Sequence, residues 1–249
     1  QWDLGISLEF QMPVTQLLNE RLLMTLILIG FTIVFTWTLA VPIGIISAVK
    51  QYSVIDYVFT FLSYLGVGTP NFLLALIMMY IVLSQFGLNV TGLFSHEYID
   101  APWSFAKFVD MLKHIWVPMV ILGTDGTARL TRIVRANVLD ELTKPYVETA
   151  RSKGLTEWKL ILKYPVRLGL NPFVSTAGLE LAQAFSGSLI VATVMSLPTI
   201  GPLLLRALLS QDMYMAGSLI LITTVLVQIG VLISDIVLAS MDPRIRMQG

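Results

Sequence analysis

The chain has 249 residues, 55% of them hydrophobic and only 13% charged, with a mean hydropathy of +0.77. Soluble domains carry about 25% charged residues, so this composition cannot build a water-facing shell, which excludes a soluble globular enzyme and a disordered chain. Sixteen Lys and Arg balance sixteen Asp and Glu, cysteine is absent, and the only histidines are His96 and His114; nucleic-acid binding, thiolate chemistry, disulfides and His-rich metal sites therefore have no support.

Residues 1–21 are polar, with Asp3, Glu9, Glu20 and Arg21, and lack the basic start and apolar middle of a signal peptide. The uncharged stretch from Leu22 to Val49 is long enough to cross a hydrocarbon core ~30 Å thick with some tilt. Pro42 inside it predicts a kink. Lys50 to Asp56 is a polar turn. The next uncharged stretch, Tyr57 to Ser95, is too long for one helix and too short for two with a loop. It reads as one span over about Tyr57–Gln85, bent at Gly68-Thr69-Pro70, followed by a loop. Within residues 87–113, an external segment, Trp103, Phe105, Phe108 and Leu112 form one apolar face of an interfacial helix.

A third span is predicted over about His114–Val134, with Asp125 and Arg129 inside it, and a fourth over Pro172–Met195, with Glu180 inside it. A fifth runs over Gly217–Leu238, with Asp235 near its end. Between the last two, Ser196–Met215 holds Pro198, Gly201 and Pro202 and then an apolar run, Leu203–Leu209, too short to cross. That run reads as a re-entrant or surface helix. The expected fold class is therefore all-α, a polytopic membrane protein with about five transmembrane helices visible.

The basic residues set the orientation. Nine of the sixteen lie between Arg129 and Arg167. If the first span runs inward, twelve face the cytoplasm and four (Arg21, Lys107, Lys113 and Arg206) face outward, the distribution that the positive-inside rule favours. Residues 1–21 then form an external segment, 22–241 the membrane domain and 242–249 a cytoplasmic tail. The chain does not start with Met, and an outside start without a signal implies an earlier inward anchor. The sequon Asn89-Val90-Thr91 also falls outside.

The one long cytoplasmic segment is residues 136–171. Pro145 suits a first helical turn, Tyr146–Lys153 suits a helix and Gly154 a stop. Thr156-Glu157 starts a second helix, to which Trp158, Leu160, Ile161 and Leu162 give an apolar surface, and Tyr164-Pro165 ends it. A helix–Gly–helix element tied at both ends to spans suits transmission of force from a cytosolic partner. A basic loop that only sets topology fits the same pattern.

These residues resemble a known family. Glu148-Thr149-Ala150-Arg151-Ser152-Lys153-Gly154 resembles the Glu-Ala-Ala-x-x-x-Gly signature of permease subunits of bacterial ABC importers, with Thr149 in place of the first Ala. Tyr146 to Leu155 as a whole is similar to the dipeptide/oligopeptide branch, as are the ending Asp242-Pro243-Arg244-Ile245-Arg246, the segment Leu197–Leu204 and the acidic turn Gln211-Asp212-Met213-Tyr214. Tyr164-Pro165 departs from the general importer pattern. The resemblance implies a second permease chain, two cytosolic ATPase subunits, an extracytoplasmic substrate-binding protein and a bacterial or archaeal inner membrane. It implies six spans, one of them before Gln1. It also implies that Tyr146, Glu148, Thr149, Ala150, Arg151, Lys153, Gly154 and Leu155 meet an ATPase, with Gly154 as the turn. The substrates of that branch are dipeptides, longer peptides, nickel complexes or oligosaccharides. The chain has no G-x-x-x-x-G-K-[ST] loop, so ATP and Mg are expected on the partner subunits and no cofactor on this chain.

The charges inside the spans admit more than one role. Arg129, Arg132 and Arg135 recur every third residue, as in a voltage sensor, but three near one end with no acid in the earlier spans suit anchoring better. Asp125 and Arg129 are four apart and can pair on one helical face, or they can line a pathway. Glu180 lines the pathway or bonds across a dimer. Small residues at Gly178, Ala182, Ala184, Ser186, Gly187 and Ser188 favour close helix contact. The alternatives to an importer subunit are a secondary transporter or channel working without an ATPase, with Glu180 as its coupling carboxylate, and an intramembrane enzyme using Ser186 or Ser188, for which no span supplies a histidine base.

Overall fold

The computed structural model describes residues 3–241 apart from 89 and 100, and leaves aside the side chains of residues 20, 172–182, 186, 238 and 241. The readings placed on Asn89, on the tail motif Asp242–Arg246 and on the side chains of Glu180, Ala182 and Ser186 lie outside the described residues, as does the packing of Gly178.

Among the described residues ten α-helices follow one another: α1 (Val14–Val49), α2 (Val54–Gly68), α3 (Asn71–Phe86), α4 (Phe105–Leu142), α5 (Pro145–Ser152), α6 (Glu157–Lys163), α7 (Pro165–Gly169), α8 (Asn171–Val194), α9 (Ile200–Leu209) and α10 (Met213–Met241). Among the described residues the only β-type pairing is an isolated bridge between Ile6 and Pro13. The chain is an all-α polytopic membrane protein. By length and composition α1 and Met213–Val237 of α10 each suffice to cross a membrane, and α2 with α3 supply a third span if the pair is counted as one. The spans expected at His114–Val134 and Pro172–Met195 fall on α4 and α8.

Three boundaries differ from the sequence reading, each for a packing reason, and the expected bend is a full break. Helix α1 starts at Val14 rather than Leu22, because Val14 and Leu18 are buried against Leu203, Ala207 and Met215 of α9 and α10. Where the sequence predicts a bend, at Gly68-Thr69-Pro70, the helix is interrupted: α2 ends at Gly68 and α3 begins at Asn71. At ~1.5 Å per residue, neither of these helices, of 15 and 16 residues, spans ~30 Å alone; Pro70, with φ −58° and ψ 133°, is not helical and caps the start of α3. Phe105, Phe108 and Leu112 do not belong to a separate interfacial helix but open α4, where they remain exposed. Residues 136–142, read as the start of the cytoplasmic loop, continue α4, because Val138 is buried and a Cβ on Gly169 of α7 would come 3.2 Å from its Cα.

The chain divides into two compact units. One comprises Gln1–Ile33, Thr69–Gly123 and Ala182–Val227. Its core joins Leu28 of α1, Ala75 and Val82 of α3, Met111 and Ile121 of α4 and Met195 after α8. The Ile200 amide donates to the Thr25 hydroxyl (2.9 Å), fixing the start of α9. The other unit comprises Val34–Gly68, Thr124–Leu181 and Gln228–Gly249. Its core joins Ala40 and Ala48 of α1 to Leu130, Val134 and Val138 of α4 and to Val147, Leu160 and Val166 of the short helices. Helix α1 lies so close to α4 that a Cβ on Gly44 would come 2.7 Å from the Cβ of Val134 and 2.9 Å from the Thr131 carbonyl oxygen.

Candidate functional site

The candidate site is the loop that follows α4. Lys144 is extended and Pro145 occupies the first turn of α5, where its fixed φ is already helical and its missing N–H costs nothing. Two side chains of α5 turn inward: Val147 is fully buried and Ala150 is 7% exposed. On the opposite side Glu148, Thr149, Arg151, Ser152 and Lys153 are exposed, while Tyr146 and Leu155 are half-buried. The Tyr146 hydroxyl donates to the Glu141 carboxylate, and burial together with this bond pushes its pKa above the ordinary tyrosine value.

Gly154 has φ +78°, and a Cβ built on it would meet nothing within 4 Å. Its conformation demands glycine, not a lack of space. The chain reverses there into α6, where Leu160 and Ile161 are buried while Trp158 and Leu162 stay exposed. The apolar run of α6 thus serves two sides. Across the turn Arg151 grips Glu157 with two bonds, Nε to Oε1 at 2.6 Å and the guanidinium NH2 to Oε2 at 3.3 Å. This bond holds the Glu157 carboxyl below its usual pKa and raises that of Arg151. Tyr164 ends α6 as expected, but Pro165 then opens a further turn, α7.

Among the charged residues of α4, Asp125 and Arg129 do pair, at 3.1 Å and half-exposed. The three arginines do not form one row of equivalent charges. Arg132 lies over the Tyr64 ring, 5.6 Å from its centroid. Arg135 binds Asp56 through Nε (2.7 Å) and a terminal nitrogen (2.8 Å). The reading that Arg129, Arg132 and Arg135 lack an acidic partner in the earlier helices is therefore corrected. Asp56 lies 79 positions from Arg135, a separation that no local pattern encodes. Its buried carboxylate also accepts the Ser47 hydroxyl and the Tyr52 amide (3.0 Å).

The motif segments around α9 have a structural role. Leu197, Ile200 and Leu203 are buried. Asp212, 1% exposed, accepts the Met215 amide (3.1 Å) at the start of α10, the Glu9 amide (3.2 Å) and the Ser7 hydroxyl. Arg206 pairs with Glu9 and lies over the Phe10 ring. Residues 7–12 are thus clasped to the turn between α9 and α10. The hydroxyl of Ser188, weighed as a nucleophile, donates to the Phe185 carbonyl (2.8 Å).

Comparison with known proteins bears on the family and the fold. Residues 40–247 match the family described as binding-protein-dependent transport system inner membrane component. The oligopeptide transport system permease protein AppB of Bacillus subtilis is 33% identical over 98% of this chain and 76% of its own length. The dipeptide transport system permease protein DppB of Escherichia coli is 29% identical over 98% of this chain and 77% of its own. A structure titled as an inward-facing conformation of the MetNI methionine ABC transporter shares the fold, with a TM-score of 0.71 over 92% of this chain and 97% of that one at 14% identity. The chain belongs to the binding-protein-dependent transport family and is a membrane-spanning permease subunit of an ABC importer.

Proposed function

We propose that this chain forms, with a second permease chain, the pathway for peptides in an importer driven by two cytosolic ATPase subunits and supplied by an extracytoplasmic binding protein. The names of the relatives support peptides as the substrate class. Residues 136–171 and 242–249 lie in the cytoplasm and residues 1–21 outside, as the distribution of basic residues favours. ATP and Mg sit on the ATPase subunits, and this chain contributes the lever. The observation that carries this reading is the docked α5: apolar residues hold it from one side while a polar row faces out.

The ATPase contact is assigned to Tyr146, Glu148, Thr149, Arg151, Lys153, Gly154 and Leu155. Ala150, which packs inward, seats the helix. Asp125, Arg129 and Glu180 are assigned to the pathway.

The absence of cysteine makes single-cysteine variants clean probes. Lys153→Cys is expected to cross-link to an ATPase subunit in the assembled complex, with ATP-driven uptake of a labelled peptide retained before cross-linking. Free reaction of that cysteine with a water-soluble maleimide in the intact complex, or uptake that proceeds without ATPase subunits, overturns the reading.

A further inference from the structure

The region that carries the candidate lever also contains the Asp56–Arg135 pair. Leu130, Val134 and Val138, at successive four-residue steps on α4, belong to the cluster that seats α5, α6 and α7. Arg135 follows Val134 and points to a different neighbour, the start of α2. There Asp56, the only acid in α2, is 2% exposed. Its oxygens collect five donors from four places: Ser47 at the end of α1, Tyr52 in the connecting turn, Thr60 one turn further along α2 (3.5 Å), and two guanidinium nitrogens from α4. Tyr52 is itself held at φ +62°, an uncommon conformation for a residue with a side chain. The turn between α1 and α2 is therefore built around this carboxylate, and α4 holds the carboxylate with a planar fork that fixes direction as well as distance.

We infer that Arg135, through its two-bond grip on Asp56, is a positioning residue for coupling: it makes the α1–α2 turn travel with the α5–α7 loop. Apolar contacts alone let packed helices slide. A bidentate pair on a buried carboxylate has one low-energy geometry, so it converts a push on the loop into a displacement of α2. This inference rests on the proposal that α5 is driven by an ATPase.

The test uses the full complex, with both permeases, the ATPases and the binding protein, in lipid nanodiscs and proteoliposomes. Spin labels on Val54→Cys and Lys159→Cys, both exposed and outside the assigned ATPase contact, report the distance between the start of α2 and the loop that carries the lever. With Arg135 present, one narrow distance is expected, unchanged between the nucleotide-free and ATP–vanadate states. Arg135→Gln is expected to broaden it and to make it state-dependent. Peptide uptake per ATP hydrolysed should fall by about tenfold while hydrolysis continues. Asp56→Asn should do the same, and Arg135→Lys, which keeps charge without the fork, should fall between. If Arg135→Gln does not assemble, the other two variants decide. An unchanged distance and an unchanged uptake-to-hydrolysis ratio in a variant that assembles overturns the inference, as does a ratio-preserving loss of both activities. Failure of the unsubstituted chain to co-purify with ATPase subunits would instead sink the proposed function.

Discussion

Two carboxylates, Asp56 and Asp212, are buried almost equally, at 2% and 1% exposure, and the chain neutralises them differently. Asp56 meets a full charge delivered by a distant helix. Asp212 makes no ion pair among the described residues; a hydroxyl and backbone amides satisfy it, two of these donors in the segment of residues 7–12 and one in the first turn of α10. Dipoles suffice where a segment only has to be held against a turn. A charge pair costs more to bury and fails harder when one member is lost, which suits a joint that transmits displacement and not a joint that closes a loop.

Removing each acid breaks this comparison if it is wrong. Asp56→Ala leaves the Arg135 guanidinium without its counter-charge. Arg135 keeps 27% of its side chain exposed, so the cost should sit at the low end of the range for broken buried pairs, about 3 kcal/mol. Asp212→Ala strands a hydroxyl and two amides, which costs about 1–3 kcal/mol, and Asp212→Asn, which keeps one acceptor oxygen, should cost less. Thermal unfolding in detergent at fixed lipid content measures these losses. A larger loss at Asp212 than at Asp56 would remove the distinction.

A smaller and more local effect is expected at the turn between the two loop helices. Gly154→Ala meets no steric obstacle, so its cost is the left-handed backbone alone, about 1–2 kcal/mol. Bulkier and β-branched residues should cost more. ATP-driven uptake should fall with alanine and be abolished by valine while membrane insertion and expression stay normal. Normal uptake by the valine variant at normal expression would show that the turn has no mechanical role.

The parts of this arrangement that were legible in the sequence are the local ones. Pro145 at a first helical turn and Gly154 at a reversal are encoded by the backbone preferences of single residues, and the Asp125–Arg129 pair follows from a four-residue step on a helix. What was not legible depends on contacts between distant segments. Asp56 looked like the end of a polar turn because nothing near it names Arg135. The early start of α1 depends on α9 and α10 covering Val14 and Leu18. Trp158, Leu160, Ile161 and Leu162 read as one apolar surface, but a seven-residue helix presents them to opposite sides, and only the packing against α4 decides which pair is buried.

The effect of pH should be the smallest, and it separates a buried acid from an exposed one. At Asp212, burial pushes the carboxyl up, but hydrogen bonds from Ser7, Met215 and Glu9 outweigh it and hold the group below its usual 3.8. At Glu157 the Arg151 guanidinium holds the carboxyl below its usual 4.5. A carboxyl whose pKa is lowered by folding contributes stability that is fully present above its unfolded value and is lost as pH falls through the folded one. Neither group titrates between about pH 6 and 8, so neither should give uptake any pH dependence there. On acidification the protection of the Glu9 and Met215 amides against hydrogen exchange should persist through the ordinary carboxylate range and fail only below it. Added salt should weaken the exposed Arg151–Glu157 tie while leaving those two amides protected. Loss of their protection between pH 5 and 6 would mean that burial outweighs these dipoles and that they do not hold Asp212 ionised.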